Sequence, residues 1–312
     1  MELRQIKYFR AVADFKSFTR AAVNCRVTQP ALSRQISTLE EELGVELFIR
    51  DGRGAHLTPA GAEFYGRVSE VSDIVQGAID AMRPYRSGKL SISVGVPPSL
   101  GPRFQSALAR TLTQTTSDTE LRLIEGYSSQ LADWLTSGRL DVALLYGGIH
   151  HPQAEHVASM QEDLFLICPG QRKGAKRSIP FAELAQVPLI SPDLPSTTRN
   201  EMERLARPLG VELNFGMQID SVPAIKSIVA DGGGYAILPH AAVEQEIDLG
   251  LLHTRDIIDP IPRLTLDLMV STRSGLDRNI YGFCQSILAA MRDKIDSCDW
   301  KGARLITPSA RG

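Results

Sequence analysis

One segment near the N-terminus, residues 28 to 44, restricts the possible folds of this chain most strongly. Thr28 is a residue type that caps helix N-termini, and Pro30 falls in the first turn, where its missing amide hydrogen costs nothing. Apolar residues then recur at intervals of four, three and four positions: Leu32, Ile36, Leu39 and Leu43. Gly44 stands where a helix is expected to stop. The segment therefore predicts a helix with one buried stripe and one polar outer face.

A shorter helix over residues 18 to 25, capped by Ser17, precedes this segment across a tight turn. That order predicts a helix-turn-helix, in which the second helix enters the DNA major groove. Its outer face carries Gln29, Ser33 and Arg34, which are residue types that bind base edges or phosphate. A hairpin, or wing, is predicted from 46 to 57, with Arg50 and Arg53 on it. The alternative interpretation is a surface helix with an ordinary polar face.

The charge distribution favours a polyanionic partner for the N-terminal end only. The whole chain of 312 residues carries a net charge of −2, which excludes a histone-like polycation. Residues 1 to 37 contain seven basic and two acidic groups, a balance of +5, which leaves −7 for the rest. We therefore expect double-stranded DNA to bind at that end.

A long helix is predicted from Thr58 to about Arg83, before Pro84 and Gly88. Its apolar positions repeat every 3.5 residues, a period typical of a seam between paired helices: Phe64, Val68, Val71, Val75, Ala78 and Met82. We expect this seam to make a homodimer or homotetramer, because two recognition helices can then address two half-sites. The alternative is a core helix within one chain.

After a hinge at residues 87 to 89 the pattern changes to alternating strand and helix signals, which predicts an α/β fold with a largely parallel sheet. Strands are expected near 90–96, 121–124, 141–146, 164–168, 188–190, 215–219, 235–238 and 264–271. The domains predicted are 1–58, a linker over 59–88, 89–300 and a tail over 301–312. The predicted fold class is thus α+β / α/β, in a chain of several domains.

The remaining composition argues for a cytoplasmic protein without a metal or cofactor. Four scattered cysteines show no ligand or disulfide spacing, and neither a signal peptide nor a membrane span is visible. The missing signal and residues 1 to 58 argue against a transport protein that binds solutes. A metal-dependent hydrolase that uses His150, His151, Glu155 and His156 is the enzymatic alternative, but these residues lie in a Pro-containing stretch without the required helix. We therefore expect that this protein is not an enzyme.

Residues 17 to 61 resemble the DNA-binding domain of LysR-type transcriptional regulators. The likeness rests on Ser17-Phe-Thr-Arg-Ala-Ala22, Thr28-Gln-Pro-Ala-Leu-Ser-Arg-Gln-Ile36, Leu47-Phe-Ile-Arg50 and Leu57-Thr-Pro-Ala-Gly61. It continues in 138–144, 162–164 and 229–239, and within the family it is nearest to the nitrogen assimilation control type.

The resemblance implies a winged helix-turn-helix, a dimerising linker helix and an effector-binding region of two α/β subdomains, similar to periplasmic binding proteins. Subdomain I would cover 89–162 and 267–300, and subdomain II 163–266, with the chain crossing near 161–164 and 265–268. The implied DNA contacts are Thr28, Gln29, Pro30, Ser33, Arg34 and Arg53. RNA polymerase is an expected further partner.

Ligands in open α/β sheets bind at the carboxyl ends of strands, beside helix N-termini that favour anions. This rule selects Pro98 and Ser99, Ser196 and Thr197, and Asp220 and Ser221, and the resemblance adds Tyr127, Ser128 and Tyr146. We therefore expect a small organic anion as the effector. For each Ser or Thr, ordinary helix capping is the alternative.

Overall fold

The computed structural model describes residues 1–51, 54–82, 90–115, 119–148, 150–170, 177–192, 196–273, 279–297 and 300–306. The chain divides into two compact units, Met1–Met82 and Arg83–Gly312, and each is described by itself. Among the described helices, none combines the length and the apolar content that crossing a membrane requires.

The first unit is a small helical domain with a two-stranded wing. It contains α1 (Leu3–Phe15), α2 (Phe18–Cys25), α3 (Gln29–Leu43), β1 (Phe48–Asp51), β2 (Gly54–Leu57) and α4 (Pro59–Ala81). The Oγ of Ser17 accepts a hydrogen bond from the amide of Arg20, and Gly44 ends α3 in the left-handed conformation, as the sequence predicts. Thr28 precedes α3 but makes no capping hydrogen bond. The helix-turn-helix and the wing are thus confirmed.

The core of this unit is built from the apolar stripes of its helices. Phe9, Val12, Leu32, Ile36 and Leu39 are all fully buried. The rings of Phe9 and Phe48 lie 5.2 Å apart between their centroids, which ties α1 to the wing. This packing fixes the side of α3 that faces inward and therefore the side that faces outward.

The second unit alternates strands and helices. Its first part comprises β3 (Leu90–Val96), α5 (Gly101–Thr115), β4 (Thr119–Glu125), α6 (Ser128–Thr136), β5 (Val142–Tyr146) and β6 (Ala154–Pro169). Its second part comprises β7 (Ser178–Pro180), β8 (Leu189–Ser191), α7 (Thr197–Leu209), β9 (Phe215–Gln218), α8 (Val222–Ala230), β10 (Tyr235–Pro239), α9 (Glu244–Asp248) and β11 (Leu252–Ile258). It ends with β12 (Arg263–Ser271), α10 (Asn279–Asp296) and β13 (Ala303–Ile306).

The long strand β6 joins two sheets. Its first half pairs with β12 and β13, whereas its second half pairs with β10 and β11. Strands β3, β4 and β5 complete the first sheet, and β8 and β9 extend the second. The prediction of a largely parallel sheet is wrong in this respect. The strands that cross between the halves run antiparallel to their neighbours, so the sheets are mixed.

Two boundaries differ from the expectation. The second crossing lies at residues 259 to 262 rather than 265 to 268, because 263 to 271 already pair with β6 in the first sheet. Pro260 and Pro262 lack the amide hydrogen that a strand ladder needs, so neither sheet extends through them. The tail predicted over 301–312 is wrong for Ala303–Ile306, which pairs with β6, while 307–312 and the hinge at 87–89 lie outside the described residues.

Candidate DNA-binding face and effector cleft

The outer face of α3 is presented to solvent by the burial of its opposite face. Leu32, Ile36 and Leu39 have no exposed surface, so the residues between them must point away from the core. Thr28, Gln29, Pro30 and Arg34 are exposed, and Ser33 is half-buried. The structure therefore brings these predicted DNA-contact residues together on one face.

The wing is held against this helix by a side chain that the sequence does not single out. Oε1 of Glu40 accepts hydrogen bonds from the amides of Leu47 and Phe48, at 2.8 and 3.2 Å. Arg50 lies in β1 opposite Ala55, as expected for the wing, and Arg53 lies outside the described residues. Glu40 thus sets the position of the hairpin relative to the predicted recognition helix.

The predicted dimerisation seam on α4 consists of two parts with different surroundings. Val68 is 4% exposed and Phe64 packs against Phe9, with 5.1 Å between the ring centroids. These two side chains pack in the core of their own domain, and their part in a dimer seam stays a prediction. Further along, the apolar positions are half-buried or exposed: Val71, Ile74, Val75, Ala78, Ile79 and Met82. This part is the portion of the helix that offers apolar surface for a partner.

In the second unit, a cavity of about 510 Å³ lies where strands of both sheets end. Pro98 and Ser99 follow β3, Tyr127 and Ser128 follow β4, and Tyr146 ends β5. From the other half, Ser196 and Thr197 begin α7, and Asp220 follows β9. All eight of these residues line the cavity, which we call the cleft. The strand-end rule and the family resemblance together thus predict a shared location that the structure contains.

Ser221, the ninth predicted residue, is not among the residues that line the cleft. Its Oγ accepts a hydrogen bond from the amide of Ala224 at 3.3 Å, which is the capping role that was its alternative interpretation. Ser196 also caps its helix, through the amide of Arg199 at 3.3 Å, but it borders the cavity as well.

The floor of the cleft rests on a buried carboxyl group. The Tyr146 hydroxyl donates a hydrogen bond to one oxygen of Glu162, and the indole Nε1 of Trp300 donates to the other. Burial raises the pKa of Glu162 to about 7, although the hydrogen bonds from Tyr146 and Trp300 lower this pKa to a smaller extent. Burial holds the pKa of Tyr146 well above its usual range, and the negative charge of the nearby Glu162 is the second cause. Both groups can therefore carry a proton at neutral pH.

Sequence reasoning missed Glu162 and Trp300 as parts of this arrangement. Glu162 lies in β6 where the strand passes from one sheet to the other, pairs there with β12 and β13, and is buried. Two adjacent acidic residues, Glu162 and Asp163, are typical of a solvent-exposed segment, so no local sequence signal indicates that Glu162 is buried. The cleft walls at Gly147, Ile237 and Leu238 were missed as well, because their position depends on how strands from both halves meet.

The histidine cluster has a different environment from a metal site. Glu155 accepts a hydrogen bond from the Tyr281 hydroxyl at 2.8 Å. Its neighbour on β6, His156, instead places Nε2 2.7 Å from the Oγ of Ser159 and 3.3 Å from the Asp267 carboxylate. The Glu155 and His156 side chains are thus held by different partners. No His, Cys, Asp or Glu cluster suited to a metal exists within the described ranges.

Comparisons with known proteins agree on the family. The model for the bacterial regulatory helix-turn-helix protein of the lysR family matches residues 3–62, and the model for the LysR substrate binding domain matches 86–292. A probable hydrogen peroxide-inducible genes activator of Streptomyces viridosporus is 31% identical over 301 residues, which is 93% of this chain and 95% of that protein.

Another relative is the nitrogen assimilation regulatory protein nac of Klebsiella aerogenes, 29% identical over 88% of this chain and 90% of that protein. The similar identities do not separate these relatives, so the finer resemblance to the nitrogen type stays a prediction. Among solved structures, the LysR family regulator CbnR has a TM-score of 0.59 at 22% identity, with 93% of this chain and 99% of that chain covered. These matches are to regulators and give no support to the hydrolase alternative.

Proposed function

The chain belongs to the LysR family of DNA-binding transcriptional regulators with an effector-binding domain, and on that premise we propose which surfaces perform the two tasks. The outer face of α3 reads operator DNA, and a small organic anion bound in the cleft controls how tightly that DNA is held. The observation that carries the first part is the exposure of Gln29, Pro30 and Arg34 opposite a fully buried stripe.

Arg34 is the side chain whose loss tests the DNA-binding face. Arg34 is exposed, and an arginine that pairs with a guanine edge contributes about 1 to 3 kcal/mol. In a gel-shift titration with the DNA upstream of the chain's own gene, Arg34→Ala should weaken binding about tenfold to a hundredfold.

Arg292→Ala is the matched control, because it removes the same charge from an exposed position in the other unit. It should bind the site as wild type does. Equal affinity of Arg34→Ala and wild type would refute the assignment of this face.

The cleft supports an anionic ligand through its helix N-termini. Amide groups of the first turn of a helix lack intrahelical partners and favour negative charge. The helices α6 and α7 begin at the cleft, with hydroxyl side chains at Ser128 and Thr197. A ligand that bridges the two halves would set their relative position and, through it, the spacing of the DNA-binding domains.

We propose that the exposed end of α4 and the residue that follows it, residues 71 to 82, form the contact between protomers of a homodimer, from which a tetramer can assemble. Val71, Ile74, Ile79 and Met82 are each more than 40% exposed, which is costly for apolar side chains that stay in water. Size measurement by sedimentation should find no monomer at micromolar concentration.

The proposed role is one of binding rather than catalysis. A protein with this role must be in the same compartment as the DNA, which agrees with the predicted cytoplasmic localisation. RNA polymerase is a further proposed partner, because a regulator bound at a promoter lies beside the polymerase. Retention of polymerase by the regulator–promoter complex tests this contact.

A further inference from the structure

The cleft has a negatively charged residue in its lining. Among the described residues that line it, Asp220 is the one with a charged side chain, and the others are hydroxyl, amide, glycine or apolar residues. A ligand that carried only negative charge would lie in the same cavity as this carboxylate and be repelled by it. The lining therefore favours a ligand with a positive group as well as a negative one.

The helices that begin at the cleft differ in what they offer. Ser128 and Ser129 open α6, and Thr197 and Thr198 open α7, so both ends combine hydroxyl groups with backbone amides. The helix α8 has Pro223 at its second position, which has no amide hydrogen, and Asp220 comes just before it. Negative ligand groups are thus favoured at α6 and α7, and positive ones near α8.

Tyr127 and Asp220 line the same cavity, one following β4 and the other following β9. The Tyr127 side chain is 38% exposed, and its pKa is raised by burial and by the negative charge of Asp220. An ammonium group between them would meet a carboxylate on one side and an aromatic ring on the other. A carboxylate and an aromatic ring in one cavity are both groups that attract a cation.

Apolar side chains line the rest of the cavity. Leu145 ends one strand of the first sheet, while Ile237 and Leu238 belong to β10 of the second, and Val222 begins α8. These side chains pack with other apolar residues in the core and also line the cavity, so an apolar part of a ligand would meet apolar surface there.

We infer that the effector is an α-amino acid with an apolar side chain. Its carboxylate would lie at the N-termini of α6 and α7, its ammonium group would lie between Asp220 and Tyr127, and its side chain would contact Ile237 and Leu238. This inference rests on the proposed function, since it assumes that the cleft is the effector site, and it replaces the general organic anion proposed there with a carboxylate that also carries an ammonium group.

Asp220 also has a purely structural explanation, because an acidic residue before a helix stabilises that helix through its dipole. The two explanations differ in what they predict for ligands. A structural Asp220 affects the stability of the protein, whereas an ammonium-binding Asp220 affects the preference between ligands with and without an amino group.

The test is calorimetric titration of the full-length protein with alanine, valine, leucine, isoleucine, methionine, phenylalanine and tryptophan. Each amino acid is paired with the carboxylic acid that lacks only the amino group. We expect an amino acid to bind about tenfold or more tightly than its partner acid, which is the loss typical of one hydrogen bond to a charged group. Asp220→Asn should reduce this ratio to about one.

Asp231→Asn is the matched control, since Asp231 is equally exposed and stands at the opposite end of the same helix. It should keep the wild-type preference. The inference is overturned if the acids without an amino group bind as tightly as the amino acids, if Asp220→Asn retains the preference, or if none of the amino acids binds. The proposed function fails separately, when the same preparation shows no specific binding to its upstream DNA in a gel shift.

Discussion

Glu162 makes the stability of the second unit depend on pH in a way that can be calculated. Its side chain is fully buried between the cleft floor and the C-terminal segment, where Tyr146 and Trp300 donate hydrogen bonds to it. The pKa of this carboxyl rises from 4.5 to about 7 on folding, because burial penalises the charged form.

The sign of the effect follows from linkage. The folded protein holds this proton more tightly than the unfolded chain, so the contribution is fully present below pH 4.5 and is lost as pH rises to about 7. One unit of pKa corresponds to about 1.4 kcal/mol, so the change amounts to roughly 3 kcal/mol. No reduction for solvent screening applies, because the group is not exposed.

Glu162→Gln replaces the titratable carboxyl group with a neutral amide of similar size, so the packing is preserved. The glutamine oxygen can accept from the indole of Trp300, and its amide can donate to the hydroxyl oxygen of Tyr146. The free energy of unfolding in urea, measured across this pH range, should therefore fall by about 3 kcal/mol more for wild type than for the variant. Above about pH 8 the variant should be the more stable protein.

Glu212→Gln, an exposed change in the same unit, should leave the wild-type profile unaltered. The reasoning is refuted if the profiles of Glu162→Gln and wild type run parallel from pH 4.5 to 7. In that case the carboxyl would titrate alike in the folded and unfolded chains.

Three further changes have defined outcomes. Gly101→Ala should cost more than about 3 kcal/mol in urea unfolding, because a Cβ there would lie 2.1 Å from the carbonyl oxygen of Ala241; Gly210→Ala, also at positive φ but with open space around it, should cost only about 1 kcal/mol. Ile79→Asp should raise the dissociation constant of the oligomer about tenfold or more, measured by sedimentation, since it places a charge on an exposed apolar stretch. Burial raises the pKa of the Cys168 and Cys284 thiols to about 11 and 12, so both should react with iodoacetamide slowly at neutral pH and rapidly in urea.

The N-terminal unit could be predicted closely because its signals are local. Caps, stripes and a stop residue within one helix decide its limits, and Ser17, Leu32 and Gly44 behave as their residue types suggest. The same reasoning did not foresee that Phe64 and Val68 pack against the core of their own domain. A period of 3.5 residues shows that one side of a helix is apolar, but it does not show whether the partner is the same domain or another chain.

In the second unit, the strands were predictable and their pairing was not. Alternation in 264–271 indicates a strand, yet whether it joins the first or the second sheet depends on contacts with residues a hundred positions away. The cleft contains residues that could be predicted from the sequence and residues that could not. Residues that follow strands were found by a rule of topology and by the family resemblance, whereas Ile237, which lies inside a strand, was found by neither, although it borders the cavity.

Glu162 connects the parts that sequence reasoning treated separately. Its backbone pairs with Ala303 in the strand that closes the first sheet, its side chain holds Tyr146 at the cleft floor, and β6 continues from it into the second sheet. A ligand that displaced the Tyr146 hydroxyl would leave a buried carboxyl with one hydrogen bond fewer, a loss of about 1 to 3 kcal/mol. Such a ligand must return that hydrogen bond or bind more weakly by this amount, so the buried carboxyl restricts which effectors the cleft accepts as well as how the two sheets are joined.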